Sequence, residues 1–208
     1  MNNFTKRILS SLILLPLVSY FIIQGSILLL FFILICFFVA CFEWHMMTKN
    51  IYLKIFGFIF LIISLHAFYK ISLVPNEVFF VILICVSTDV GGYIFGKLFK
   101  GPKLTKISPN KTYSGMIGGY FLSIITSFLF INLLNINLYF FNLFTVIIFI
   151  STVSQVGDIT ISYFKRLSKI KNTGKLIPGH GGLLDRIDGM IFVFPVYYLI
   201  SSIDYIII

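Results

Sequence analysis

The sequence predicts an all-α polytopic membrane protein of about seven transmembrane helices, with its large loops on the cytoplasmic face. Three observations carry that expectation. Of 208 residues, 59% are apolar and only 11% charged, whereas soluble domains carry about a quarter charged residues. This is more apolar surface than one core of this size can hide, which excludes a soluble globular domain, and it excludes intrinsic disorder as well. The apolar residues fall into seven runs, most near the ~20 residues that a helix needs to cross about 30 Å of hydrocarbon. Charge is lopsided, with 16 Lys and Arg against 7 Asp and Glu; that favours anionic lipid or an anionic substrate over nucleic acid, for which no soluble basic domain exists.

The first run, 8–23, follows a basic start and imitates a secretory signal. Phe21-Ile-Ile-Gln-Gly25 offers no small-x-small cleavage site, so the run reads as the first membrane helix. The others are 26–42, 51–69, 78–95, 116–134, 138–163 and 190–208, with Lys54 and Asp204 blurring two of their ends. Cys36, Cys41 and Cys85 all lie within apolar runs, without CxxC spacing, and read as packing residues. Glu43-Trp44-His45 reads as interfacial anchoring rather than chemistry, and His66 as helix packing. With the N-terminus inside, all 16 Lys and Arg except Lys70 face the cytoplasm. The chain then divides into N-terminal transmembrane helices over 1–80 and a functional transmembrane region over 81–208, one continuous membrane domain with cytoplasmic loops 97–114 and 165–188.

Ionised side chains near mid-membrane cost about 2.5 to 3.5 kcal/mol on insertion scales, so Asp89 and Asp158 need a reason. Asp89 stands near Gly92 and Gly96, a small-xxx-small pair that lets another helix approach. Around Asp158, helical periodicity puts Gln155, Ser162, Lys165, Arg166 and Lys169 within an arc of about 100°, so one helix face is polar. Gly179, Gly181 and Gly182 surround His180 in a loop whose backbone can approach a ligand, beside a helix start suited to phosphate. Asp185 and Asp188, three residues apart, suit Mg²⁺, which takes one or two carboxylates and fills its octahedron with phosphate oxygen and water. Ser108-Pro109 has the pattern of an N-cap and first turn for the fifth helix, while Lys111 and Thr112 also suit a phosphate; the two readings stand side by side.

Ser162-Tyr-Phe-Lys-Arg166, Lys171, Gly174, Pro178-Gly-His-Gly-Gly182 and Asp185-Arg-Ile-Asp188, taken in order, resemble the signature of the phosphatidate cytidylyltransferases, the CDP-diacylglycerol synthases. Asp89, Gly96-Lys97 and Ser108-Pro-Asn-Lys-Thr112 resemble that family's other blocks. The resemblance covers roughly the C-terminal 120 residues. It implies transfer of CMP from CTP to phosphatidic acid, with active-site loops at 97–114 and 165–188, in a multi-pass bacterial inner-membrane protein. It implies Mg²⁺ held by Asp158, Asp185 and Asp188 with Asp89 as partner, a second cation being left open. Lys165, Arg166, Lys175 and Arg186 become candidates for phosphates, and Ser162 and His180 for orienting contacts. CTP, phosphatidic acid and membrane lipid are the implied partners, nucleic acid is not, and a homodimer is left open. Asn172 and Ser114 stand where the family usually has acids and are not carried over as ligands. The alternatives are another lipid phosphoryl or nucleotidyl transferase, such as a polyprenol kinase or an ether-lipid CTP transferase, and a transporter.

Overall fold

The computed structural model describes residues 16–105, 107–109, 111–134, 140–174, 176 and 181–204. All regular structure among them is helical. A helical stretch over 16–24 (α1) precedes α2 (Ser26–Met47), α3 (Ile51–Ile71), α4 (Pro75–Phe99), α5 (Tyr113–Leu133), α6 (Phe140–Leu167), the single turn α7 (Leu184–Ile187) and α8 (Met190–Asp204). Five helices, α2 to α6, are long and apolar enough to cross a membrane, which makes this an integral membrane protein. Seven such spans are not seen among the described residues. The start of the expected first span and the last four residues of the expected seventh lie outside them; the described part of the seventh, α8, is an apolar helix of 15 residues.

Local chemistry sets the helix ends. Asn50 caps α3 by accepting the Tyr52 N–H, and Pro75 opens α4 in the first turn, where its missing N–H costs nothing. The expected start of the fifth helix at Ser108-Pro109 is not used. The chain instead returns on itself through an antiparallel bridge between Lys103 and Thr112, with Leu104 N–H donating to Lys111 C=O at 2.8 Å. That pairing keeps 111–112 extended, and Thr112 becomes the cap, its hydroxyl accepting the Gly115 N–H at 3.1 Å.

Helices α4 and α5 cross backbone to backbone. A methyl group on Gly115 would come within 2.7 Å of Gly92 C=O, and one on Gly119 within 2.9 Å of Thr88 C=O, so the small-residue seam expected at Gly92 and Gly96 is present and extends along α5. One apolar cluster joins Leu29, Phe68, Ile84, Ile147 and Tyr197 from five helices. A second joins Trp44, Met47, Leu61, Ile161 and Leu184 at the end where α2 and α6 finish and α7 lies. Phe31, Ile35, Phe38, Ile59 and Ile62 point outward, as lipid contact requires. His66 is exposed beside an apolar groove between α2 and α3, not packed inside as its sequence context suggested. The cysteines are free, with Cys85 buried and the other two half-buried, as packing residues should be.

Candidate active site

The end that buries Trp44 and Leu184 also gathers the polar residues. α6 runs for 28 residues, past the end of its apolar stretch, and its last turns carry Lys165 and Arg166. Its polar face lies opposite α4 and the 101–112 return. Together they form a cleft lined by Asp89, Gly92, Lys111, Thr112, Gln155 and Asp158. Lys111 reaches across it to pair with Asp158. Asp158 also accepts the Ser162 hydroxyl at 3.4 Å, one helical turn away, as the periodicity predicts.

A second group lies deeper along the same face. Lys165, 8% exposed, puts Nζ 3.0 Å from Asp185 Oδ1 and 3.4 Å from Asp188 Oδ2. Burial, and next the nearby Asp158 charge, push the Asp188 carboxyl up to about 7 even with Lys165 opposing them. Asp89 and Asp158 lie within electrostatic reach of it, and Arg186 within reach of Asp89. Asp89, Asp158 and Asp188 therefore belong to one crowded acidic region faced by Lys111 and Lys165.

Asp185, expected on the metal, is held here by the loop and by Lys165. Oδ2 accepts the Thr173 N–H at 2.9 Å and the Gly182 N–H at 3.0 Å while Oδ1 holds Lys165. With its oxygens committed to the loop and to Lys165, it ties the chain together beside the acidic region. Arg166 turns to Ile170 C=O at 3.2 Å, closing the end of its helix, and does not join the cleft. Gly181 has φ 91°, and a methyl there would strike Asp185 Oδ2 at 2.6 Å, so the glycine lets a protein carboxylate come close. Lys175, Gly179 and His180 lie outside the described residues. Asn172 is exposed, as a turn residue should be. Ser114 contacts Gly101 N–H and the Thr112 hydroxyl rather than the cleft.

Glu43 is the residue that local pattern missed. It is not an interfacial anchor but is 4% exposed, and it accepts from the Thr173 hydroxyl and the Leu183 and Leu184 N–H groups. The available signal was a carboxylate inside the run Cys41-Phe-Glu-Trp44, where only dedicated donors make burial tolerable.

Fold and site define a helical membrane protein that gathers carboxylates and lysines at one end of its spans, an arrangement suited to phosphate-bearing ligands. The model of the cytidylyltransferase family matches residues 51–204, and the chain belongs to that family. It is 35% identical over 211 residues to the phosphatidate cytidylyltransferase of Rickettsia felis, covering 96% of this chain and 93% of that protein. It is also 41% identical over 121 residues to the protein of that name from Staphylococcus haemolyticus, and 40% to that of Staphylococcus aureus. In both staphylococcal comparisons the match spans 58% of this chain but only 46% of the relative, about half its length.

Proposed function

We propose that this chain transfers CMP from CTP to phosphatidic acid, giving CDP-diacylglycerol and pyrophosphate. The observation that carries the reading is the convergence of Asp89, Asp158 and Asp188 with Lys111 and Lys165 at one end of the membrane helices. The near full-length likeness to the Rickettsia felis protein supports it.

The reaction asks little of a general base, because the lipid phosphate is already ionised at neutral pH. One of its oxygens bonds to the α-phosphorus of CTP as the bond from that phosphorus to the bridging oxygen breaks, and pyrophosphate departs with the electron pair. The obstacle is repulsion between two polyanions. Lys111 and Lys165 supply fixed positive charge, and the cleft holds the partners in line, which is where much of the acceleration in such transfers arises. The donor chemistry suits Mg²⁺, since Asp89, Asp158 and Asp188 offer hard carboxylate oxygens within electrostatic reach of one another, and such an ion takes only one or two protein carboxylates; among the described residues no three His, Cys, Asp or Glu side chains stand close enough to hold it alone. Asp158 and Asp188, with Asp89 beside them, would hold the ion, which would neutralise phosphate charge when bound.

The same reading places the site end on the cytoplasmic side of a bacterial inner membrane, in a chain of about seven spans once 8–23 and 190–208 are counted. The gathering of Lys49, Lys54, Lys97, Lys100 and Lys103 at helix ends on that side supports it. The test is incubation of the purified protein with CTP labelled at the α-phosphate, Mg²⁺ and phosphatidic acid in detergent. Label should enter an extractable lipid with release of one pyrophosphate per lipid, and Asp158→Asn protein that still inserts should lose this. Label transferred to a lipid alcohol instead, or none transferred with phosphatidic acid, would overturn the reading.

A further inference from the structure

We propose that Glu43 is a positioning residue for this reaction: from α2 it holds both ends of the glycine-rich segment against the acidic region. The inference rests on the transferase reading above and adds to it a residue from α2, ahead of the residues 51–204 that the family model matches. Glu43 Oε2 accepts the Thr173 hydroxyl at 2.8 Å and the Leu184 N–H at 2.9 Å, and Oε1 accepts the Leu183 N–H at 2.9 Å. One carboxylate therefore touches the chain on both sides of 174–182.

The fit is close enough to dictate its neighbours. A methyl on Gly174 would lie 2.7 Å from Oε1, and Gly182 is packed against the same carboxylate. Side chains at either position would push the loop ends off Glu43. Among the described residues no lysine or arginine is ion-paired with it, and these three donors offset the cost of its burial. A residue needed only to pack α2 would be apolar, like its neighbours in the run; a carboxylate here is specific to the chain ends it binds. Asp185 repeats the arrangement from the other side, taking the Thr173 and Gly182 N–H groups. Leu183 and Leu184 lead directly into α7, so fixing them fixes where Asp185 meets Lys165 and where Asp188 faces Asp158. Glu43 touches neither reacting phosphate; it acts through α7.

The experiment uses the full-length protein in detergent, with Glu43→Gln and Glu43→Asp, amide hydrogen exchange, and separate kinetics for the two substrates. Glu43→Gln replaces one accepting oxygen by a donor. It should speed exchange at 173 and 182–184 at least tenfold and lower kcat/KM for CTP at least thirtyfold. KM for phosphatidic acid should stay within threefold, and Glu43→Asp should recover part of the loss. Unchanged exchange overturns the proposal. So does faster exchange with CTP kinetics within threefold of the parent, or an equal loss on both substrates that tracks a collapse of the melting temperature. Should Glu43→Gln fail to fold, Thr173→Ala deletes one of the three bonds and must show the same pattern on a smaller scale; parental exchange at 183–184 with parental CTP kinetics then overturns it. If the parent protein itself fails to use CTP and phosphatidic acid, the transferase reading falls and the exchange measurement alone decides whether Glu43 holds the loop ends.

Discussion

Replacing Lys165 by methionine keeps the unbranched stem as far as the ε position and removes the ammonium that bridges Asp185 and Asp188. The three side chains are 11%, 6% and 14% exposed, so this is a buried cluster, and breaking one from a single side costs about 3–5 kcal/mol. Asp185 keeps two backbone donors, and Asp188, already pushed up by burial, takes a proton rather than stand as a bare charge. The low end, about 3 kcal/mol, therefore applies. At about 2–4 °C per kcal/mol for a chain of this size, Tm should fall by roughly 6–12 °C. Trp44 is the sole tryptophan and meets the Phe164 ring edge-on at 5.3 Å, beside Lys165, so its fluorescence in detergent follows unfolding at this cluster. Adding Asp188→Asn should return at least about 1 kcal/mol of the loss, because the cost of protonating an acid without its ammonium partner is then gone. A single variant that melts within about 2 °C of the parent, or two substitutions whose effects simply add, would refute the view that Lys165 holds the two acids.

Gly115→Leu should lower Tm through overpacking of about 1–3 kcal/mol, since even a methyl there comes within 2.7 Å of Gly92 C=O. Gly92→Ala, whose methyl meets Gly115 C=O at 3.7 Å, should melt close to the parent; equal damage from both would show the seam is wrongly drawn. Asn172→Asp should change turnover at saturating CTP by less than about tenfold, or about 1.4 kcal/mol in barrier, because Asn172 is exposed. A far larger gain with sharper Mg²⁺ dependence would mean that the ligand set lacks an acid. In chelator-treated protein, the Asp188 carboxyl stands at about 7 in the folded chain against 3.8 as a free group. The folded state then holds a proton that the unfolded chain has released, so stability should fall as pH rises from about 4 to about 7, by at most about 1.4 kcal/mol per pH unit. Melts across that range should show a shallower slope in Asp188→Asn, and an identical slope would remove Asp188 as the cause.

What the sequence made legible was whatever depends on local period. The polar face of α6 from Gln155 to Lys165 follows from 100° per residue, and the glycine contact of α4 follows from Gly92 and Gly96, although the part played by Gly115 and Gly119 needed the partner helix. Local signals failed where distant partners decide. Ser108-Pro109 is a sound capping pair in isolation, yet the bridge from Lys103 to Thr112 moves the helix start to Tyr113. Asp185 and Asp188 do lie three apart, but α7 lasts four residues, and one acid is taken up by backbone donors at 173 and 182. Glu43 finds its partners 130 to 141 residues further along the chain, a separation no window of sequence reports. The count of spans rests on hydropathy and on the side of the basic residues, and the runs it places at 8–23 and 190–208 both extend past the described residues.

The seam between α4 and α5 also settles a question of traffic. Where Gly92 and Thr88 carbonyls lie against Gly115 and Gly119, there is no room for a methyl group, so an acyl chain cannot slip between these helices, and on that flank the doorway to the cleft is shut by peptide backbone. A lipid whose head reaches Asp158 must slide in from another side of the bundle while its tails stay in the bilayer. The closed flank, made of main chain and not of movable side chains, would give a membrane-borne substrate of the proposed reaction a direction of approach.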